Sequence, residues 1–182
     1  VYVKTGSTAS SIGVDGVYNS AMGLWNATGG GFKNYASATG LVATSDATAQ
    51  NGSTNRALGV RQVSATDQGV AFAFRIDNTI GKTNFAISFK HQSLDNSVGR
   101  TATWVVDYGL GAAPASFTTV TTAPALLTTG PVFTNTTVTA SFGAALNNSA
   151  QPVWIRVVVL TPTTGAGNRP SSAVDDLQLT WN

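Results

Sequence analysis

The groups able to move protons or attack a carbon are few in this chain. It has one histidine, His91, eight aspartates, no glutamate and no cysteine in 182 residues. A serine nucleophile would need His91 as its base and an aspartate to orient the ring. No serine stands in a Gly-x-Ser-x-Gly elbow, and His91 closes a run with strand alternation, which favours a structural or surface histidine. Two carboxylates across a cleft could hydrolyse a glycoside. The adjacent Asp175 and Asp176 lie in the strand-like run AVDDLQLTW, where neighbours point to opposite faces, so they do not suit that role. The sequence therefore reads as a non-enzyme.

The same pair has a structural implication. Period-2 alternation puts Asp175 on one face with Leu177, Leu179 and Trp181, turned toward a core where a lone carboxylate is costly. Two partners would answer this. One is calcium, which accepts carboxylate and carbonyl oxygens in flexible geometry, with Asp175 and Asp176 as its ligands. The other is a set of backbone N–H groups or an arginine.

The elements that must position these groups are strands. Only 10% of residues are charged, against a usual ~25%, and a chain this poor in Glu, Lys and Arg has little from which to build exposed helix faces. In GVAFAFRIDN, Val70, Phe72, Phe74 and Ile76 alternate with smaller or polar residues, and Phe85, Ile87 and Phe89 repeat the pattern in NFAISFKHQ. Across the turn NTIGKT the two runs read as an antiparallel hairpin. The run from Val153 to Leu160 is apolar on both faces, as in a central strand covered on each side. With RALGVRQV, TATWVVDYG, FTTV, PVFTNTTVTASF and weaker candidates at Ser11–Tyr18 and Leu41–Thr44, the count is nine or ten strands. No helix longer than about two turns is expected. Many short strands with glycine- and proline-rich turns predict an antiparallel two-sheet sandwich over residues 1–182, one domain. Met22–Thr54, with Trp25, Phe32 and Tyr35, reads as an irregular loop ordered by its aromatics.

The ten cations are scattered rather than clustered, which argues against nucleic acid. No stretch approaches the ~18 apolar residues of a membrane span, so no membrane insertion is expected. The chain opens at Val1 without the charged start and apolar run of a leader, which is expected of a processed or excised piece of a larger multidomain protein or assembly. A surface of hydroxyls and amides with few charges is of the kind associated with secreted or cell-surface bacterial proteins.

AVDDLQLTW resembles the closing strand of galactose-binding-like jelly-roll modules. Upstream, NRALGVRQV, GVAFAFRIDNTIGKTNFAISFKHQS, RTATWVVDYGLGAAPASFTTV and PVWIRVVVL follow the order of such modules in large secreted bacterial surface proteins, so that the resemblance spans about Asn55–Trp181. It implies a jelly-roll β-sandwich that binds carbohydrate or a cell-surface glycan, or else serves as an adhesive domain, a spacer or a fibre subunit. It also implies a structural calcium on a last-strand carboxylate, matched here by Asp175 and Asp176, with Asp15 the only N-terminal acid to set beside them.

Sugar recognition needs exposed rings with polar groups nearby. Trp25 and Tyr35 in the irregular region, and Trp154 with Arg156 on one face of a central strand, are the candidate ligand-binding residues. The competing reading makes Trp104, Tyr108, Trp154 and Trp181 core aromatics.

Overall fold

The computed structural model describes residues 1–41 and 46–182. Its N-terminal part holds β1 (Tyr2–Thr5), β2 (Val14–Asp15), β3 (Tyr18–Gly23), β4 (Phe32–Ala36) and one short helix, α1 (Ala47–Gly52). Then follow β5 (Arg56–Arg61), β6 (Ala71–Ile76), β7 (Ala86–Ser93), β8 (Arg100–Leu110) and β9 (Thr118–Val120). The chain continues through β10 (Thr122–Ala123), β11 (Leu127–Thr129), β12 (Thr134–Ser141), β13 (Val153–Val158), β14 (Thr164–Gly165) and β15 (Ser171–Thr180).

Two sheets form. One runs β11-β8-β13-β6-β1-β2, with β9 and β14 also on β8; the other runs β10-β12-β7-β15-β5-β4-β3. Within them, β5-β15-β7-β12 faces β6-β13-β8-β11, and the chain switches sheet in the order that defines two wound Greek keys. The fold is a jelly-roll sandwich.

Several expectations need correction. Fifteen strands are present among the described residues rather than nine or ten: β10, β11 and β14, of two or three residues, are too short to carry alternation, and β1, β3 and β4 lack a period-2 pattern in sequence. Nor is every pair antiparallel, since β3 runs parallel to β4. The runs β6 and β7 are not a hairpin: they lie in different sheets, and their apolar faces meet across the core. Met22–Thr54 is not wholly irregular, for it includes β4 and α1. At the weak candidates, Ser11–Tyr18 contains β2, whereas residues 42–44 of the second lie outside the described residues.

The core is an aromatic file between the sheets. Phe72 on β6 stacks on Trp104 of β8 at 5.6 Å and meets Phe32 of β4 edge-on at 5.5 Å. His91 of β7 stands edge-on to the Trp104 ring at 5.5 Å. The Trp104 Nε1 donates to Thr129 Oγ1 at 3.0 Å, and that hydroxyl shares a 2.7 Å hydrogen bond with Ser172 on the opposite sheet. The one polar group of the largest core side chain is thus satisfied.

The outer faces are covered too, as the doubly apolar β13 implied. All six of its residues are buried. Arg156, fully buried, grips Asp107 of the neighbouring β8 with Nε–Oδ1 at 2.8 Å and Nη2–Oδ2 at 2.6 Å. Its Nη1 donates to the carbonyls of Thr8 and Ser11 at 2.9 and 2.8 Å, while the Phe117 ring lies 3.3 Å from the guanidinium carbon. On the other sheet Arg61 pairs with Asp95 and donates to the Trp25 carbonyl at 3.0 Å. Burial pushes the Asp95 carboxyl up, but hydrogen bonds from Ser97 and Arg61 bring it below the usual carboxylate range.

Removing one partner of such a buried pair strands the other charge. Arg156→Met is expected to lose about 3–5 kcal/mol in chemical denaturation, and the Arg156→Met/Asp107→Leu double variant to recover most of that loss. Equal losses in the single and double variants would show that the pair's charge is not what matters.

Candidate functional site

The four side chains expected to meet a ligand are all buried. Trp25 donates its Nε1 to the Ala36 carbonyl at 3.0 Å and packs against Phe133 with centroids 5.4 Å apart. Tyr35 has no exposed surface, and burial raises its hydroxyl to about 12. Trp154 and Arg156 do share one face of β13, the outer one. There Trp154 lies against Tyr2 at 5.2 Å with Lys4 and Arg75 over its ring, and Arg156 is spent on Asp107 and two carbonyls. The structure brings Trp25 and Tyr35 into one cluster outside the β5-containing sheet and leaves neither ring a face open to a ligand.

His91 is also interior. Its ring is 2% exposed between Phe89 and Trp104, its Nε2 has no hydrogen-bond partner, and burial lowers its pKa from 6.5 to about 4. A neutral imidazole without access to solvent cannot relay a proton to a substrate.

Alternation fails at the two carboxylates. Between Asp175 and Gln178 the register of β15 against β7 shifts, and Asp176 takes φ +48°. This is a bulge: one extra residue is inserted, so Val174 and Leu177, three apart, both face the core. Asp175 is therefore turned away from Leu177, opposite Lys90 in the ladder, and not toward the core as expected. Its Oδ1 accepts from the Asp176 amide at 2.8 Å, while its Oδ2 is buried without a partner. Asp15 is elsewhere, on β2 and 2.7 Å from the Lys4 ammonium. Among the described residues no group of three or more carboxylates or histidines gathers around a common point, so a metal at Asp175 would depend on carbonyls and water.

An exposed ring does exist, at a position read as core. Trp181 follows β15 on the same face as Leu177 and Leu179, but the sheet has ended there and 48% of its surface is exposed. The indole stacks on Phe85 with centroids 6.0 Å apart and planes at 29°, and the Lys82 ammonium stands 5.7 Å over it. Ile76, Asn78, Lys82, Phe85, Leu179 and Trp181 line a hollow of about 330 Å³ at this end of the sandwich.

The loop beneath is held firmly. Thr83 and Asn182 exchange backbone hydrogen bonds at 2.9 and 2.8 Å, and Asn148 donates its amide to the Lys82 carbonyl at 3.1 Å. The side-chain oxygens of Asn148 and Asn147 accept from Gly81 and Asn84 at 2.9 Å each. Gly81 and Asn84 both have positive φ, +74° and +57°, which glycine and asparagine tolerate best. Period-2 reading carries Trp181 inward with Leu179, and only the point where β15 stops would have revealed the exposed ring.

A second recess lies on the outer face of the β7 sheet. Thr139, Ser88 and Gln178 stand in register across β12, β7 and β15, and with Thr122 and Ser141 they line a groove of about 410 Å³. It carries hydroxyls and an amide but no ring and no charge.

No family model and no curated protein matches the chain. Solved structures give loose likenesses. The N-terminal cellulose-binding domain of β-1,4-glucanase C from Cellulomonas fimi shares 15% identity at TM-score 0.39, over 69% of this chain and 78% of that one. A candidate sugar-binding protein from Bacteroides thetaiotaomicron shares 11% at TM-score 0.39, over 97% and 100%. The CBM35 of Cellvibrio japonicus Abf62 shares 12% at TM-score 0.31, over 98% and 94%. The jelly-roll assignment rests on the strand order and not on these likenesses.

Two predictions follow from the buried groups. Because the folded pKa of His91 lies below its unfolded value, the unfolded chain binds the extra proton, so stability is full above pH 6.5 and falls as the pH drops toward 4. The loss is on the order of 3 kcal/mol, and thermal melts of His91→Phe should lack that component. At the bulge, Asp175 already spends one oxygen on its own turn. A chelator is expected to leave the melting temperature unchanged, whereas Asp175→Ala costs on the order of 1 kcal/mol; a fall on chelation would establish a bound cation.

Proposed function

We propose that the chain is a non-catalytic, extracellular carbohydrate-binding module of a bacterial surface or secreted protein, built into a larger assembly, with Trp181 as its sugar platform. The observation that carries this reading is the half-exposed indole in a hollow with Lys82 and Asn78 beside it. An apolar ring face next to hydrogen-bonding groups suits a pyranose, which has an apolar face and a hydroxyl rim. Support for a non-catalytic role comes from where the proton-transfer groups are used. His91 is sealed in the core, Asp67, Asp95 and Asp107 are held by arginines, and Asp46 caps α1 through its side chain.

The test is affinity electrophoresis of the purified chain through a panel of neutral and acidic polysaccharides. Wild type is expected to be retarded by at least one, and Trp181→Ala to weaken that binding by about tenfold or more, the loss expected when a ring contact worth ~1.4 kcal/mol is removed. Its melting temperature should change little, since the ring is half outside the core. Retardation by no glycan would favour the alternative of a spacer or fibre subunit.

A further inference from the structure

Given Trp181 as the platform, we infer that the hollow selects an acidic sugar, a uronic acid or another carboxylated pyranose, through Lys82. What the hollow can select is set by the polar groups it offers. Of its six lining residues, Ile76, Phe85 and Leu179 are apolar, Trp181 is apolar but for its indole N–H, and Asn78 and Lys82 are polar at their tips. The Asn78 Oδ1 accepts from the Ile80 amide at 3.3 Å and keeps a second lone pair, so Asn78 offers an acceptor as well as its NH2 donors. Lys82 contributes three N–H donors and no acceptor. The hollow thus presents a cation, one amide and no carboxylate.

Hydroxyls donate as well as accept in neutral and acidic sugars alike, so the carboxylate is what a cation can distinguish. A carboxylate only accepts, and its charge-assisted hydrogen bonds are the stronger kind. A hollow whose one charged group is a lysine, with no carboxylate beside it, therefore matches an acid.

Lys82 is also unengaged by acids. Among the described residues its ammonium has no ion-pair partner, in contrast to Lys4, Arg61, Arg75, Arg156 and Arg169. The nearest acid in sequence, Asp77 just past the end of β6, is bound to Arg75 at 3.2 Å. What holds the ammonium is the indole alone, 5.7 Å away. An exposed contact of that kind is weak, so the ammonium can leave the ring for a carboxylate while the sugar takes its place on the indole. The Lys82 backbone stays fixed meanwhile by Thr79 and Asn148.

The experiment compares poly-galacturonate and alginate with neutral galactan, arabinan and xylan in affinity gels, confirmed by titration calorimetry with the corresponding oligosaccharides. Wild type is expected to bind a polyuronate at least tenfold more tightly than any neutral glycan. Lys82→Gln should abolish that preference, Lys82→Arg should retain most of it, and Lys33→Gln, remote from the hollow, should keep it, which separates a site from general attraction between a cationic protein and a polyanion. If wild type prefers a neutral glycan, and Trp181→Ala loses that binding while Lys82→Gln does not, the acidic specificity is overturned and the platform stands. If a polyuronate is bound but neither Lys82→Gln nor Trp181→Ala weakens it, the hollow is not the site. Binding to none of the glycans overturns both readings.

Discussion

The Arg156–Asp107 pair is the contact on which the arrangement of the N-terminal segment depends. It lies outside the core proper, on the far face of the β8–β13 ladder, and a desolvated ion pair there would gain little by itself. What it provides is direction: four guanidinium hydrogen bonds join two neighbouring strands to the carbonyls of Thr8 and Ser11. A glycine makes room for the same cover. A Cβ on Gly109 would press into Pro114 and the Phe117 ring, the ring that lies on Arg156.

The second sheet repeats the device with different residues. Arg61, paired with Asp95, holds the carbonyl of Trp25, and Gly59 leaves the space that the Tyr35 ring fills. In residues 1–36, β1 and β4 join the sheets through their ladders to β6 and β5, and arginines reaching from the jelly roll hold the carbonyls of Thr8, Ser11 and Trp25 in the segments between strands. This explains why the aromatics of that segment, which looked suited to a ligand, are consumed as packing.

How much of this was legible in the sequence follows from what alternation can and cannot report. It identifies a strand with one buried face, which is why β6, β7, β12 and β15 were readable, while β13 was readable as a continuous apolar run covered on both sides. It does not say which sheet a strand joins. Phe72 and Phe89 both point inward, yet from opposite sides, and the hairpin reading of β6 and β7 failed there. Nor does it register an inserted residue: the left-handed Asp176 shifts the phase by one and turns Asp175 to the outer face. Trp181 failed differently. Its face was right, but burial also depends on whether the opposing sheet extends that far, and this is a property of the assembled sandwich. The exposed ring thus arises where a core simply runs out, above a loop fastened by asparagines.

One feature of β15 bears on the module as a link in a chain. The strand sits between β5 and β7, bonded to both, and it ends the jelly roll. Tension entering through its C-terminal end would act along the strand and load two hydrogen-bonded ladders in shear, with Thr180 to Ser172 sharing the force against β7. Ladders loaded this way must yield many bonds together, whereas a strand peeled from an edge yields them singly. A domain anchored to a surface through β15 would therefore hold Trp181, one residue beyond the strand, at the point where the pull enters a mechanically stiff part of the fold.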